Sequence, residues 1–321
     1  MLSGLSPSSP SLLLNYYRGY YWYSPYRHVI QFDPVCSVYD PELFYRLKPG
    51  TCVHEGLRFE NKYSVNSLGV RDDEASLAAP EVIALGDSHT MGWGLDQQNT
   101  YTQLIERESG RRALNLGISS YGTPREFLLL KRADLSALKV LIVQYDDNDL
   151  PENLQYLRDG CRLHVQPSQV WERFARLERH RRYFPGRHFL GLLLSAVRLA
   201  GTDERESMRP DEALGDRAHA MAFLAVLASF DRPELRQARL IVFDVKNEVQ
   251  RERAIEFSFA RALEGLKTSG RYREVANRLV VLDLARELSR PDYRQVIDNH
   301  LNEAGHQLIA RKILEHMAGV R

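Results

Sequence analysis

Ser88 stands where a serine can do chemistry. It closes Val82-Ile83-Ala84-Leu85-Gly86-Asp87-Ser88, an apolar run of strand length that ends abruptly in Gly-Asp-Ser. Beyond the turn the pattern becomes helical, through Tyr101, Leu104 and Ile105. A strand running into a tight turn presents its next side chain at the carboxyl edge of a sheet, where open α/β sheets bind ligands. A hydroxyl at that edge becomes a nucleophile if a base reaches it. The same triplet also makes an ordinary turn followed by an ordinary helix N-cap, so it decides nothing alone.

A base is available far along the chain. In Ile297-Asp298-Asn299-His300-Leu301-Asn302, Asp298 and His300 precede a helix whose Ala304, Leu308, Ile309, Ile313 and Met317 share one face. A histidine in such a loop can turn toward a serine on a neighbouring strand end, and a carboxylate nearby can fix its tautomer. Asn148 follows another apolar run, in Gln144-Tyr145-Asp146-Asp147-Asn148-Asp149. The small residues of Asn115-Leu116-Gly117-Ile118-Ser119-Ser120-Tyr121-Gly122 would let backbone N–H groups approach a ligand, as an oxyanion hole requires.

Other polar residues near these stretches read two ways. His89 either shapes an acyl pocket or is a plain first-turn helix residue, and Trp93, between Gly92 and Gly94, either lines the pocket or packs under its loop. His306 is expected to pack or cap, and Asp87 to support the turn. Asp146, Asp147 and Asp149 invite a metal, but consecutive carboxylates on a strand alternate faces and cannot all converge. No metal site and no cofactor are expected.

The elements that must position these residues alternate from residue 81 onward. Apolar runs at Val82–Leu85, Ala113–Leu116, Val140–Tyr145, Leu240–Val245 and Leu279–Leu284 are separated by helical patterns at Tyr101–Ser109, Pro124–Arg132 and Arg251–Lys267. Short buried strands with intervening helices imply parallel βαβ units. The expected fold is therefore a three-layer, flavodoxin-like α/β sandwich with about five parallel strands.

The stretch from about 151 to 237 is too long for one crossover helix and reads as a helical insertion. Helical spacing is visible at Trp171–Arg179, Phe189–Leu199 and Ala218–Phe230, with a polar loop from Gly201 to Arg217. Such an insertion could be a lid, a substrate wall, a decoration or an oligomer contact. Residues 1–78 read as an irregular N-terminal extension and linker with a few short strands, and 79–321 as the main domain.

Composition narrows the class. The 321 residues are 44% hydrophobic and 26% charged, with a formal net charge of +1. These are ordinary globular values that give no sign of a nucleic-acid partner. The arginines between Arg173 and Arg187 make either a basic patch or a solvated helical face. Cys36 and Cys52, which flank a turn-rich segment, are either bridged or free buried thiols; the third cysteine is Cys161. No run of about 18 apolar residues marks a membrane span. Residues 12–23 are aromatic, with Asn15 and Arg18 among them, and do not make a signal peptide. The chain is expected either to be cytoplasmic or to follow a leader that precedes it.

Taken in order, Gly86-Asp87-Ser88, Asn115–Gly122, Asn148-Asp149 and Asp298…His300 resemble the four sequence blocks of the SGNH (GDSL-type) hydrolases. No Gly-x-Ser-x-Gly elbow occurs, which argues against the ordinary α/β-hydrolase fold. The resemblance implies Ser88 as nucleophile, His300 as general base and Asp298 as its orienter. It implies an oxyanion hole from Asn148, the Ser88 N–H and a second-block N–H. The glycine common in that block falls on Ser120, with Gly117 as the fallback donor.

Two features resemble the envelope and polysaccharide-acetylation branch: the spacing Asp298-x-His300 and the segment Tyr63–Arg71. The implied activity is a serine esterase cleaving O-acyl esters of a small molecule or carbohydrate. The alternatives are a carbohydrate O-acetyltransferase with the same triad, or a binding module without turnover. The branch also implies a peripheral association with the cell envelope.

Overall fold

A computed structural model describes residues 29–56, 59–181, 215–245, 258–268, 270–296 and 300–318. β1 (Ser37–Asp40) and β2 (Phe44–Leu47) pair antiparallel, as do β3 (Gly50–Glu55) and β4 (Glu60–Val65). β5 (Val82–Leu85), β6 (Ala113–Asn115), β7 (Val140–Tyr145), β8 (Arg239–Asp244) and β9 (Leu279–Leu282) form one parallel sheet in the order β6-β5-β7-β8-β9. Every strand of this sheet comes from an apolar run that the sequence marks.

The helices are α1 (Ser88–Met91), α2 (Tyr101–Ser109), α3 (Thr123–Leu130), α4 (Asp149–Arg158), α5 (Ser168–Arg181) and α6 (Asp216–Ser229). They continue as α7 (Pro233–Gln237), α8 (Phe259–Leu266), α9 (Arg273–Asn277), α10 (Ala285–Leu288) and α11 (Glu303–Met317).

Both faces of the sheet are buried, which is why its strands are continuously apolar. Ile83, Leu85, Leu141 and Val143 face Phe127 of α3, Phe223 and Leu224 of α6, and Phe259 and Leu263 of α8. Val82, Ala84, Val140 and Ile142 face Leu104 and Ile105 of α2 and Leu308, Ile309 and Ile313 of α11. This is the three-layer α/β sandwich expected.

Within the span read as an insertion, α6 packs directly on the sheet. It buries Phe223, Leu224, Val226 and Leu227, so it supplies a helix of the layer itself. α5 turns Trp171 and Ala175 inward and leaves Arg173 and Arg176 exposed. Phe189–Leu199, the loop up to residue 214 and the first part of the Arg251–Lys267 pattern lie outside the described residues. No described helix is long and apolar enough to cross a membrane.

The N-terminal strands are tied to the main sheet rather than trailing from it. Leu43 and Tyr45 join the core on the α3 side, and Arg132 donates to both carboxylate oxygens of Asp40 at 2.6 and 2.9 Å. Trp171 Nε1 donates to Gln31 O at 2.9 Å. Cys36 and Cys52 form a disulfide with a Cα–Cα distance of 5.4 Å, which resolves the choice that the sequence left open, and Cys161 is free and exposed.

The disulfide closes a loop of sequence separation 16. Loss of such a constraint costs about 3 kcal/mol on the chain-entropy account. The double variant Cys36→Ser/Cys52→Ser is expected to lose about that much in denaturant unfolding against the oxidised protein. An unchanged unfolding midpoint would show that packing alone holds the N-terminal strands.

Candidate active site

The site lies at the carboxyl edge of β5 and β7. β5 ends at Leu85, and Gly86 makes the turn with no room for a side chain: a Cβ there would collide with Thr90 Oγ1 and lie 2.5 Å from Gln144 Oε1. Gln144, near the end of β7, accepts hydrogen bonds at Oε1 from the Asp87 N–H at 3.1 Å and the Thr90 hydroxyl at 3.0 Å. The turn is thereby fixed to the neighbouring strand. Gly86→Ala is expected to lower the melting temperature by several degrees, as overpacking costs of about 1–3 kcal/mol do. A variant that melts like the wild type would show that the turn yields.

Asp87 caps α1, its Oδ1 accepting the His89 N–H at 2.9 Å. Ser88 is the first residue of α1, so its N–H has no acceptor within the helix. The left-handed Gly92 ends α1. The buried Arg71 then donates to the carbonyls of Met91 (3.2 Å), Gly92 (2.6 Å) and Leu95 (2.5 Å) while its guanidinium lies 3.6 Å over the Tyr63 ring. Both ends of the Tyr63–Arg71 segment therefore hold the loop after Ser88.

His300 meets Ser88 across the longest sequence separation in the site: its Nε2 lies 2.7 Å from Ser88 Oγ. Both residues are buried, at 5% and 8% exposure, so the pair is shielded from bulk solvent. The loop carrying His300 is closed by backbone bonds from Gln295 N–H to His300 O (2.9 Å) and from Asn302 N–H to Tyr293 O (3.0 Å). Asp298 lies in this loop but outside the described residues.

Two aromatic rings flank the His300 imidazole. Trp93 stacks on it at 5.1 Å and 16°, and His89 approaches at 4.9 Å and 41°. His89 Nε2 is 3.7 Å from Asp146 Oδ2. Burial, reinforced by the charge of His300, holds His89 well below the usual imidazole range. Burial, reinforced by the charge of Asp87, pushes the Asp146 carboxyl well above the usual carboxylate range. Burial also raises Asp87, against the opposing pull of its hydrogen bond from His89.

The remaining candidates divide. Asn148 is exposed, with Nδ2 3.4 Å from Asp87 Oδ2, which brings its amide beside the residue preceding Ser88. Ser120 is exposed and has φ +61°, the left-handed conformation that a glycine adopts freely. Gly117 is corrected: its N–H donates to Asn115 Oδ1 at 2.9 Å, and a Cβ there would collide with Met91 N. Its backbone packs closely under α1.

His306 caps instead of titrating. Its Nδ1 accepts the Tyr101 N–H at 3.0 Å at the start of α2, and burial pushes it down to about 3.

The expectation about carboxylates is also refined. Asp87, His89 and Asp146 bring ligand-capable atoms within 4.8 Å of one another, a group the sequence reading did not assemble. Asp87 Oδ1 is already taken by the His89 N–H, and Asp146 Oδ1 by the Asp147 N–H at 2.6 Å.

Sequence reasoning missed the contribution of the N-terminal strands. Tyr45 of β2 donates its hydroxyl to Ser119 O at 2.7 Å, and the Tyr121 hydroxyl donates back to Tyr45 O. These bonds pin the Ser119-Ser120 turn. The available signal was the aromatic richness of residues 39–63, which an unpacked linker does not need.

No family model matches the chain, and no curated protein does. Among solved structures, a member of the lipolytic protein G-D-S-L family from Veillonella parvula is 13% identical, with 73% of this chain and 96% of that chain covered and a TM-score of 0.41. A lipase from a goat rumen metagenome is 13% identical, with coverage of 74% and 97% and a TM-score of 0.38. An acetyl xylan esterase from Butyrivibrio proteoclasticus is 10% identical, with coverage of 85% and 65% and a TM-score of 0.38. Likenesses this distant assign no residue a role.

Proposed function

We propose that the chain is a serine esterase of the SGNH type, acting on an O-acyl ester with a small acyl group. The observation that carries this reading is the 2.7 Å contact between His300 Nε2 and Ser88 Oγ at the carboxyl edge of the sheet. That is the distance at which an imidazole takes a hydroxyl proton.

In the first half-reaction His300 Nε2 accepts the Ser88 proton as Oγ attacks the ester carbonyl carbon. Charge develops on the carbonyl oxygen, for which the Ser88 N–H, the Ser120 N–H and the Asn148 amide are the proposed donors. The bond to the leaving alcohol then breaks, and the imidazolium returns its proton to that oxygen. In the second half-reaction water attacks the acyl carbon as His300 takes a proton from it; the bond to Ser88 Oγ then breaks, the imidazolium returns that proton to Oγ, and the carboxylic acid leaves. Asp298 would hold the Nδ1 proton of His300. The step needs neither metal nor cofactor.

The neighbours of His300 support a small acyl group. His89 lies 4.9 Å from the His300 ring with Asp146 behind it at 3.7 Å, and both are buried. A long acyl chain would have to displace them. A carbohydrate ester is the substrate class proposed. The same residues can pass the acyl group to a sugar hydroxyl instead of water, and an acetyl-ester assay with and without an oligosaccharide acceptor separates the two.

The deciding experiment is labelling by a fluorophosphonate followed by peptide mapping, with His300→Ala as control. Labelling at Ser88 that disappears in the control is the expected result. A folded wild type that takes no label would overturn the reading in favour of a binding module.

A further inference from the structure

Trp93 is 2% exposed, follows the Gly92 that caps α1 and belongs to a cluster with Cys36, Cys52, Tyr63, Val65 and Met91. Its indole has one face on His300 at 5.1 Å and 16°. The rest of the ring is enclosed by His54, edge-on at 4.5 Å, and by Phe59 at 6.1 Å. His54 lies two residues beyond Cys52 on β3, so the two share the inward face of that strand, while Val53 between them is 41% exposed. The β3–β4 hairpin, tied at Cys52 to Cys36 by the disulfide, therefore backs the indole.

The main chain of Trp93 is held as well. Its N–H donates to Ser88 O at 3.0 Å. Its carbonyl accepts from Gln295 Nε2 at 2.8 Å, and the Gln295 N–H donates to His300 O at 2.9 Å. One short chain of bonds thus joins the Ser88 backbone, Trp93, Gln295 and the His300 backbone. The stacked rings repeat the same connection through the side chains.

We propose that Trp93 is the positioning residue for His300, its indole face setting the imidazole plane that aims Nε2 at Ser88 Oγ. The proposal rests on Ser88 and His300 being the reacting pair. Stacking removes the ring-flip and tilt freedom that an imidazole on a loop would otherwise have. An error of about 1 Å in such a placement costs about 10²-fold in rate. The indole face also attracts the imidazolium that forms when Ser88 gives up its proton, an interaction absent while His300 is neutral. Trp93 accordingly acts on turnover and not on substrate affinity.

The test compares Trp93→Leu, which fills space without an aromatic face, with Trp93→Phe, which keeps a face. Turnover of an acetyl ester, the second-order rate of fluorophosphonate labelling and thermal melting are measured for each. Trp93→Leu is expected to lower both kcat and the labelling rate by about 10–100-fold, with KM within about 2-fold. Trp93→Phe is expected to recover most of that loss although both variants melt below the wild type. Equal losses in the two variants, in step with their melting temperatures, would reduce Trp93 to packing. Wild-type rates in both would also overturn the proposal.

A readout independent of catalysis is the His300 Hε1 proton signal. It should show an upfield ring-current displacement in the wild type that disappears in Trp93→Leu. If wild type and Ser88→Ala are equally inactive, the esterase reading fails. The ring-current displacement then still decides whether Trp93 sets the imidazole, and its absence from the wild type would end the proposal.

Discussion

Ser88→Ala is expected to lose at least about 10⁴-fold in kcat toward an acetyl ester, down to the background set by binding and oxyanion donors. The same variant should keep its fold. Ser88 Oγ has one described partner, His300 Nε2, and the turn around it is held by Gly86, Asp87, Thr90 and Gln144. Removing the hydroxyl leaves the imidazole nitrogen without its partner, a cost of about 1–3 kcal/mol that a domain of this size tolerates. His300→Gln should fall as far, and the double variant no further, because the two groups act as one unit. Rates measured beside far-ultraviolet circular dichroism separate chemical loss from unfolding. Retention of more than about a tenth of wild-type turnover by folded Ser88→Ala would remove Ser88 from the mechanism.

What made Ser88 legible was local. An apolar run with no polar interruption, followed by Gly-Asp-Ser, fixes a buried strand and a sharp exit, and both appear as β5, Gly86 and α1. The helical spacing of Tyr101–Ser109 yields α2 with the same bounds. His300 was legible as a loop residue before an amphipathic helix, and α11 begins at Glu303. The loop's approach to Ser88 follows from both strands ending on one edge.

What escaped was long-range. Trp93 meets His54, His300 and Phe59 from three different elements, and no periodicity in one stretch encodes such an encounter. The disulfide depended on the turn before β1 and the strand β3 bringing Cys36 and Cys52 to 5.4 Å, which spacing alone leaves undecided. Gly117 looked like a donor because glycine permits close approach. The structure uses that permission toward Met91 instead, with Asn115 taking its N–H. The place of α6 was hidden for another reason: a helix apolar on most sides gives little amphipathic signal of the surface it packs on.

The second large effect concerns stability and originates in the layer beneath the site. Glu126, on α3, is fully buried, and neither carboxyl oxygen has a hydrogen-bond partner among the described residues. Burial, then the charges of Asp87 and Glu152, push its carboxyl well above the usual range, with Arg125 opposing. Asp149 is raised by burial and by Glu126 in turn, although Thr123 Oγ1 donates to it at 2.9 Å. In the folded protein Glu126 therefore keeps its proton at pH values where the unfolded chain has lost it.

The direction follows from linkage. Below the unfolded value near 4.5 both states hold the proton, and the favourable contribution of the protonated folded form is fully present. As pH rises toward and through the raised folded value, the unfolded chain releases its proton first. Stability then falls by up to about 1.4 kcal/mol per pH unit for each such group. Glu126→Gln keeps the shape and removes the proton. At pH 4 the variant should unfold like the wild type. At pH 8 it should be more stable by at least about 1.4 kcal/mol, the linkage over one pH unit. Denaturant unfolding of both proteins at pH 4, 6 and 8 reads the difference. An identical decline in the two would transfer the pH dependence to Asp149 and Asp146, whose carboxyls are raised by the same burial. A larger advantage for Glu126→Gln at pH 4 than at pH 8 would mean that Glu126 is ionised in the fold, contrary to its surroundings.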